Sequence, residues 1–445
     1  MISWHVLRPI KIDGDTVHRI WSLIRTKLSA DFFLLTLGPP IVHCFLHPSS
    51  QQRQLSEHTP VSVISPARSR RPRFRMLDCA RGAALVLMLI SHALELLPGN
   101  IGPADWIYIN VILLFTKAAT PLFVFVFGMT MAFVYLDHVL SPEGFQAVRH
   151  RLHRRALFAF LSFEFLVIVV ESADKTPAGA IVERMVYLRP GNWAEVLNFY
   201  IVVLLAGPWV LRWWKHASTV IRVLITPVLY AAGALIAAIP VPSYLFELKN
   251  IITGYPASTA STMPLDTFPV LQLSSFFLVG LALGEYLHER WEPGKPGKGL
   301  LIAGSVIPFG LLLSYLTAGD SLREYAGKMA LDHYRFPPQV PYVLFGLSSV
   351  LCITLLCLWL VQVRNSTSFP IRMIELLGRH SLFTFNIQYV LIFTVYGLVL
   401  DMLHQQTVLS SYLNTLIITA ACVMAAWLWE QWREVRSRAV PKVVS

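Results

Sequence analysis

Ten apolar runs, each close to the twenty residues needed to cross a bilayer, constrain this chain more than any other feature. They fall at roughly 77–97, 107–135, 155–172, 195–212, 219–239, 268–287, 299–317, 340–362, 381–400 and 409–430. With 55% hydrophobic and only 14% charged residues in 445, the chain reads as an all-α, polytopic membrane protein with about ten helices in one bundle. The second run is long enough to tilt or bend at Pro121.

The formal charge of +11 raises the question of nucleic acid, but the basic residues lie in loops between apolar runs. There they set topology and meet anionic lipid, so nucleic acid is excluded as a partner. With the N-terminus inside, seventeen basic residues fall in the loops and tail of the inner side and seven in the outer loops, which predicts N-in and C-in. Residues 1–75 are expected to form a basic, largely disordered arm, with an interfacial helix over 17–47 as the alternative. The bundle occupies 76–432, and 433–445 reads as a basic cytoplasmic tail. The five cysteines show no paired spacing and imply neither a metal site nor a disulfide framework.

Ionisable residues inside the apolar runs carry the functional signal. Arg81 and His92 are eleven residues apart on the first helix. At ~100° per residue they return to within ~20° of one direction, about 16 Å apart along the axis. Asp78, Arg81, Met88 and His92 therefore share a stripe running from the membrane edge to deep inside. Glu95, one turn beyond His92, is placed to orient the imidazole and to stabilise its charged form. The bland alternative is a histidine bonded to a neighbouring helix, with Arg81 as a topological anchor. Lys117 and Glu164, in apolar surroundings, are expected to pair with one another, although Lys117 also lies close enough to the outer side to touch a substrate. Gly128 with Ala132, and Gly280 with Gly284, read as small-residue pairs for close helix contact.

The stretch RMLDCARGAALVLMLISH (75–92) resembles the Arg-x10-His first-helix motif of the transmembrane acyltransferase superfamily. That superfamily includes acyltransferase-3 proteins, periplasmic-glucan-modifying acyltransferases and the heparan-α-glucosaminide N-acetyltransferase group. TKAATPLFVFVFGMTMAF (116–133), VLNFYIVVLLAGPWVL (196–211) and LGRHSLFTFNIQYVLIF (377–393) resemble further helices of these proteins, and the likeness covers roughly 73–430.

The resemblance implies an integral membrane acyltransferase that moves an acyl group, chiefly acetyl, from cytoplasmic acyl-CoA to an extracytoplasmic carbohydrate. It implies His92 as general base and Arg81 as the motif arginine, to position the donor or to support the helix; Glu95, from its place one turn beyond His92, completes the candidate catalytic set. Asp78, Lys117, Asn198, Tyr200, Asn386 and Gln388 are the candidate substrate-binding residues. Arg151, Arg154, Arg155 and Arg379 are candidates for the CoA phosphates. Gln388 departs from the pattern, since many relatives carry a histidine there, and an amide cannot serve as a base. Acyl-CoA is the expected donor and no metal is expected. Lipid, acyl-CoA and a glycan are the expected partners, with self-association left open. A bacterial inner membrane is the expected location. The rival reading is a transporter of a small solute or a modified glycan, in which Lys117, Glu164 and His92 form a proton or substrate pathway.

Overall fold

The computed structural model describes residues 74–99, 103–188, 194–242, 245–254, 268–290, 298–335 and 338–439. The basic arm expected over 1–75 lies outside the described residues up to position 73, and the tail lies outside them from position 440.

All ten apolar runs are helical. In chain order the elements are α1 (Arg75–Leu96), α2 (Pro103–Thr116), α3 (Ala119–Tyr135), α4 (Pro142–Ala173), α5 (Ala178–Met185), α6 (Val196–His216) and α7 (Thr219–Ala237). They continue with α8 (Phe246–Thr253), α9 (Val270–Arg290), α10 (Lys298–Ala318), α11 (Leu322–Ala330), α12 (Val340–Leu358), α13 (Phe369–Arg379), α14 (Ser381–Tyr389) and α15 (Val408–Ala439). Among the described residues there is no strand, and nine helices are long and apolar enough to cross a membrane. A tenth span arises if the segments Gly304–Ala318 and Leu322–Ala330, bent by 97°, count as one. π-helical turns follow α12 (Trp359–Val363) and α14 (Val390–Val399). They lengthen α12 and bring the nine-residue α14 to spanning length.

The second run is broken as its proline requires. Pro121 has no N–H to give the carbonyl of Lys117, so α2 stops at Thr116 and α3 begins at Ala119. Lys117 occupies the turn between them. α4 begins with Ser141 capping the backbone N–H of Gly144 and runs 32 residues. At 1.5 Å per residue that is about 48 Å, more than a bilayer core, so its arginine-rich first turns project beyond the apolar layer.

Close helix contacts come from the small residues. A Cβ placed on Gly128 would lie 2.1 Å from the carbonyl oxygen of Phe277, and one on Gly280 would lie 2.0 Å from that of Phe125. A Cβ on Gly284 would meet Met129 backbone and the Ala132 side chain. The expected small-residue pairs thus lock α3 against α9. A second lock joins α1 to α13, an amphipathic helix with Ile371, Leu376 and Leu377 buried. There Gly82 faces the Ile374 carbonyl, and Gly378 faces the Asp78 carbonyl. Arg75 and Glu375 pair at 2.9 Å beside this contact.

The finishing end of α1 is tied to the segment before α15. The backbone of Leu97 and Gly99 exchanges hydrogen bonds with Gln406, and His404 donates to the Leu96 carbonyl. At the opposite end Arg379 pairs with Glu430, near the end of α15. The first residues of α1 and the last turns of α15 therefore share one end of the bundle. Cys79, Cys357 and Cys422 are buried, as the sequence suggests, whereas Cys352 is exposed on the helix surface.

Candidate active site

A polar cavity opens at the finishing end of α1. Its wall contains Met88, Ser91, His92 and Glu95 from α1, Thr116, Lys117, Ala119 and Thr120 from the α2–α3 break, and Phe268 and Arg335. Its interior is small, about 20 Å³, room for about one water molecule, and the rest of the space lies at its open mouth. His92 is partly accessible, and its ring meets the edge of Tyr389 at 5.2 Å. The imidazole therefore faces a polar space within the protein and not only packed side chains.

The 3.6-residue period explains this placement. Met88, His92 and Glu95 follow one another up the same side of α1, and Ser91 stands beside them. Ser91 donates to Glu95 Oε1 at 2.8 Å, and Lys117 Nζ reaches the same oxygen at 3.0 Å. Glu95 is thereby held on the cavity wall beside His92.

Lys117 does not pair with Glu164, contrary to the expectation from their apolar surroundings. Its ammonium bonds Glu95 and, at 2.6 Å, Oδ2 of Asp332. The proline break turns Lys117 toward the end of α1 and the loop after α11, whereas Glu164 lies on α4 with neither carboxylate oxygen hydrogen-bonded. Asp332 in turn accepts from Arg335 at 3.2 Å, and Arg335 reaches Thr120 at 3.4 Å. Burial disfavours the Asp332 carboxylate, but the charges of Arg335 and Lys117 outweigh it and hold its pKa below the ordinary value.

Lys117 is sealed, with 1% of its side chain exposed, between two carboxylates that are each 22% exposed. Replacing it leaves both carboxylates partly buried without their shared cation. Breaking a buried pair costs about 3–5 kcal/mol, and partial exposure places Lys117→Met at the lower end of that range. Thermal unfolding in detergent, compared with Lys117→Arg, measures it; an unchanged midpoint for the methionine variant contradicts the network.

The other candidates lie elsewhere. Arg81 donates to Thr130 at 2.5 Å and pairs with Asp78 at 3.4 Å, so the two act together at the α1–α3 contact, below the cavity. Tyr200 sits among Phe123, Phe127 and Phe199, and the Asn198 side-chain oxygen accepts from Tyr187 at 3.0 Å. Asn386 donates to Ser162 at 3.2 Å, joining α14 to α4. Gln388 is wholly buried, with neither amide atom hydrogen-bonded. Arg151 is partly exposed and Arg154 and Arg155 are exposed on the first turns of α4. Arg154 lies over Phe158 and Arg155 over Tyr135. Arg379 is exposed and engaged by Glu430. Two charged residues, Arg335 on the cavity wall and Asp332 behind it, are not among the sequence candidates. The only sequence signal for them is the mixture of charge and aromatics in the loop around 318–339.

The family model for the catalytic domain of heparan-alpha-glucosaminide N-acetyltransferase matches residues 73–305. The chain belongs to that family. No curated protein matches the chain. Of the three groups that the motifs resemble, the match selects the N-acetyltransferase one, and with the spans it makes the chain a multi-pass membrane protein of acetyltransferase type. The match takes in α1 through α9, and hence His92, Glu95 and Lys117, but stops short of Asp332 and Arg335.

Proposed function

We propose that the protein transfers an acetyl group from acetyl-CoA, arriving at the cytoplasmic face, to a carbohydrate at the opposite face, with His92 as general base. The observation that carries this reading is the partly accessible imidazole on the wall of a polar cavity at the finishing end of α1. The excess of basic residues supports placing the starting end of α1 in the cytoplasm. Arg151, Arg154 and Arg155, on the part of α4 that projects from that end, suit the phosphates of the donor.

A thioester is already activated, but a sugar hydroxyl attacks it only as a base removes its proton, and an amine must likewise shed one. His92 takes that proton as the new acyl bond forms and the carbonyl–sulfur bond breaks. The imidazolium then returns the proton to the departing thiolate. Glu95, fixed by Ser91 and Lys117, lies one turn away, where its charge favours the imidazolium. Arg81, anchored to Thr130 and Asp78, serves as a support that fixes α1 against α3 on the donor's side.

The test uses purified protein in liposomes, with [14C-acetyl]-CoA outside and an oligosaccharide trapped inside. One acceptor ends in glucosamine and the other, maltotriose, has hydroxyls only. Label is expected on at least one trapped sugar, and the pair separates N- from O-transfer. Movement of either sugar across the bilayer without label would instead establish the transporter.

A further inference from the structure

Three polar groups on the cavity wall are partly accessible, and one has no role so far. Thr116, Lys117 and Thr120 are buried to 6% exposure or less, whereas His92, Glu95 and Arg335 are partly accessible. Lys117 and Arg335 share the Asp332 carboxylate, one on each oxygen. Only 1% of the Lys117 side chain is exposed against 16% for Arg335, so of these two cations Arg335 is the one a ligand can touch.

We propose that Arg335 binds the acceptor through a pair of adjacent sugar oxygens, and that Asp332 is its positioning residue. This rests on the acetyl-transfer reading above. A guanidinium is a rigid fork of N–H donors without acceptors, suited to two neighbouring oxygens. Here the fork is fixed on three sides. Its carbon lies 4.9 Å from the centre of the Phe268 ring, one nitrogen bonds Asp332, and another bonds Thr120. Such a group presents its donors at little ordering cost.

The loop that carries it is equally constrained. Asp332 adopts a positive φ of 62°, the left-handed conformation that aspartate tolerates better than most side chains, and its surroundings hold it there. Those surroundings include the α11 capping box of Ser321 and Glu324, the Lys328–Asp320 pair at 2.6 Å and the hydrogen bond from Tyr334 to Asp320. One carboxylate thus sets the sealed lysine beside Glu95 and aims the accessible arginine into the space beside His92. The residue that chooses the acceptor lies beyond the stretch that matches the family.

The experiment measures KM for the labelled sugar, KM for acetyl-CoA and kcat in wild type, Arg335→Gln, Arg335→Lys and Asp332→Asn. A charged hydrogen bond is worth about 1.5–3 kcal/mol, so Arg335→Gln is expected to raise the sugar KM roughly tenfold or more. KM for acetyl-CoA should stay within about twofold. Arg335→Lys, which keeps the cation and loses the fork, should fall between. Asp332→Asn should move the sugar KM in the same direction. A sugar KM unchanged in Arg335→Gln, or all three constants shifting together as in a packing defect, overturns the proposal. If Arg335→Gln does not fold, the lysine and asparagine variants decide on the same constants. Absence of transfer by the wild type removes the acetyltransferase reading itself, a result distinct from normal transfer that ignores Arg335.

Discussion

His92→Ala is expected to lose acetyl transfer by about 10²–10⁴-fold, the range that a positioned general base contributes. Binding of labelled acetyl-CoA should remain within a few-fold, and the unfolding midpoint in detergent should hardly move. The loss is large because no neighbour can take over. Glu95, the nearest other base on the wall, already accepts from Ser91 and Lys117. Accepting the proton from substrate would cost it the lysine contact. His92→Gln keeps hydrogen bonding without a base and should be as inactive as the alanine variant. Transfer within a few-fold of wild type in either variant removes His92 from the chemistry.

The second large effect concerns folding. A Cβ on Gly82 would lie 1.8 Å from the carbonyl oxygen of Ile374, and one on Gly378 1.8 Å from that of Asp78. Both obstacles are backbone, so no rotamer relieves them and the two helices must separate. Overpacking of a tight core costs about 1–3 kcal/mol and at times more. A backbone clash at both glycines places Gly82→Val and Gly378→Val at or above the top of that range. Little monodisperse protein is expected from either, as read by size-exclusion chromatography and thermal unfolding. Gly327→Ala is the control, because nothing lies within 4 Å of its Cβ position and alanine favours the α11 helix. Equal yields from all three variants contradict the lock between α1 and α13.

Much of the architecture is legible in the sequence because burial in a membrane writes a simple pattern. Long apolar runs specify the spans, and Pro121 marks the break because it lacks the N–H that an unbroken helix needs. The placement of His92 and Glu95 follows from helical period alone, since both lie on one element. What fails is anything that depends on which elements meet. Lys117 was expected to pair with Glu164, yet its partners are 22 residues before it and 215 after it. Apolar context reports that a charge needs a partner but not which one. Arg335 sits in a short stretch of mixed charge and aromatics, where composition is the same for a solvated rim and a cavity wall. Asn198 and Asn386 are polar groups in spans, and the structure shows each in a hydrogen bond to another segment. α13 went unrecognised because its eleven residues are too short for a span and carry charges at both ends of the amphipathic face.

The glycine contact at the foot of α1 also governs what happens at its summit. Ten residues, or about 15 Å of continuous helix, separate Gly82 from His92. The same helix is also tied at its finishing end to His404 and Gln406, so the two anchorages together hold the imidazole at a fixed height on the cavity wall.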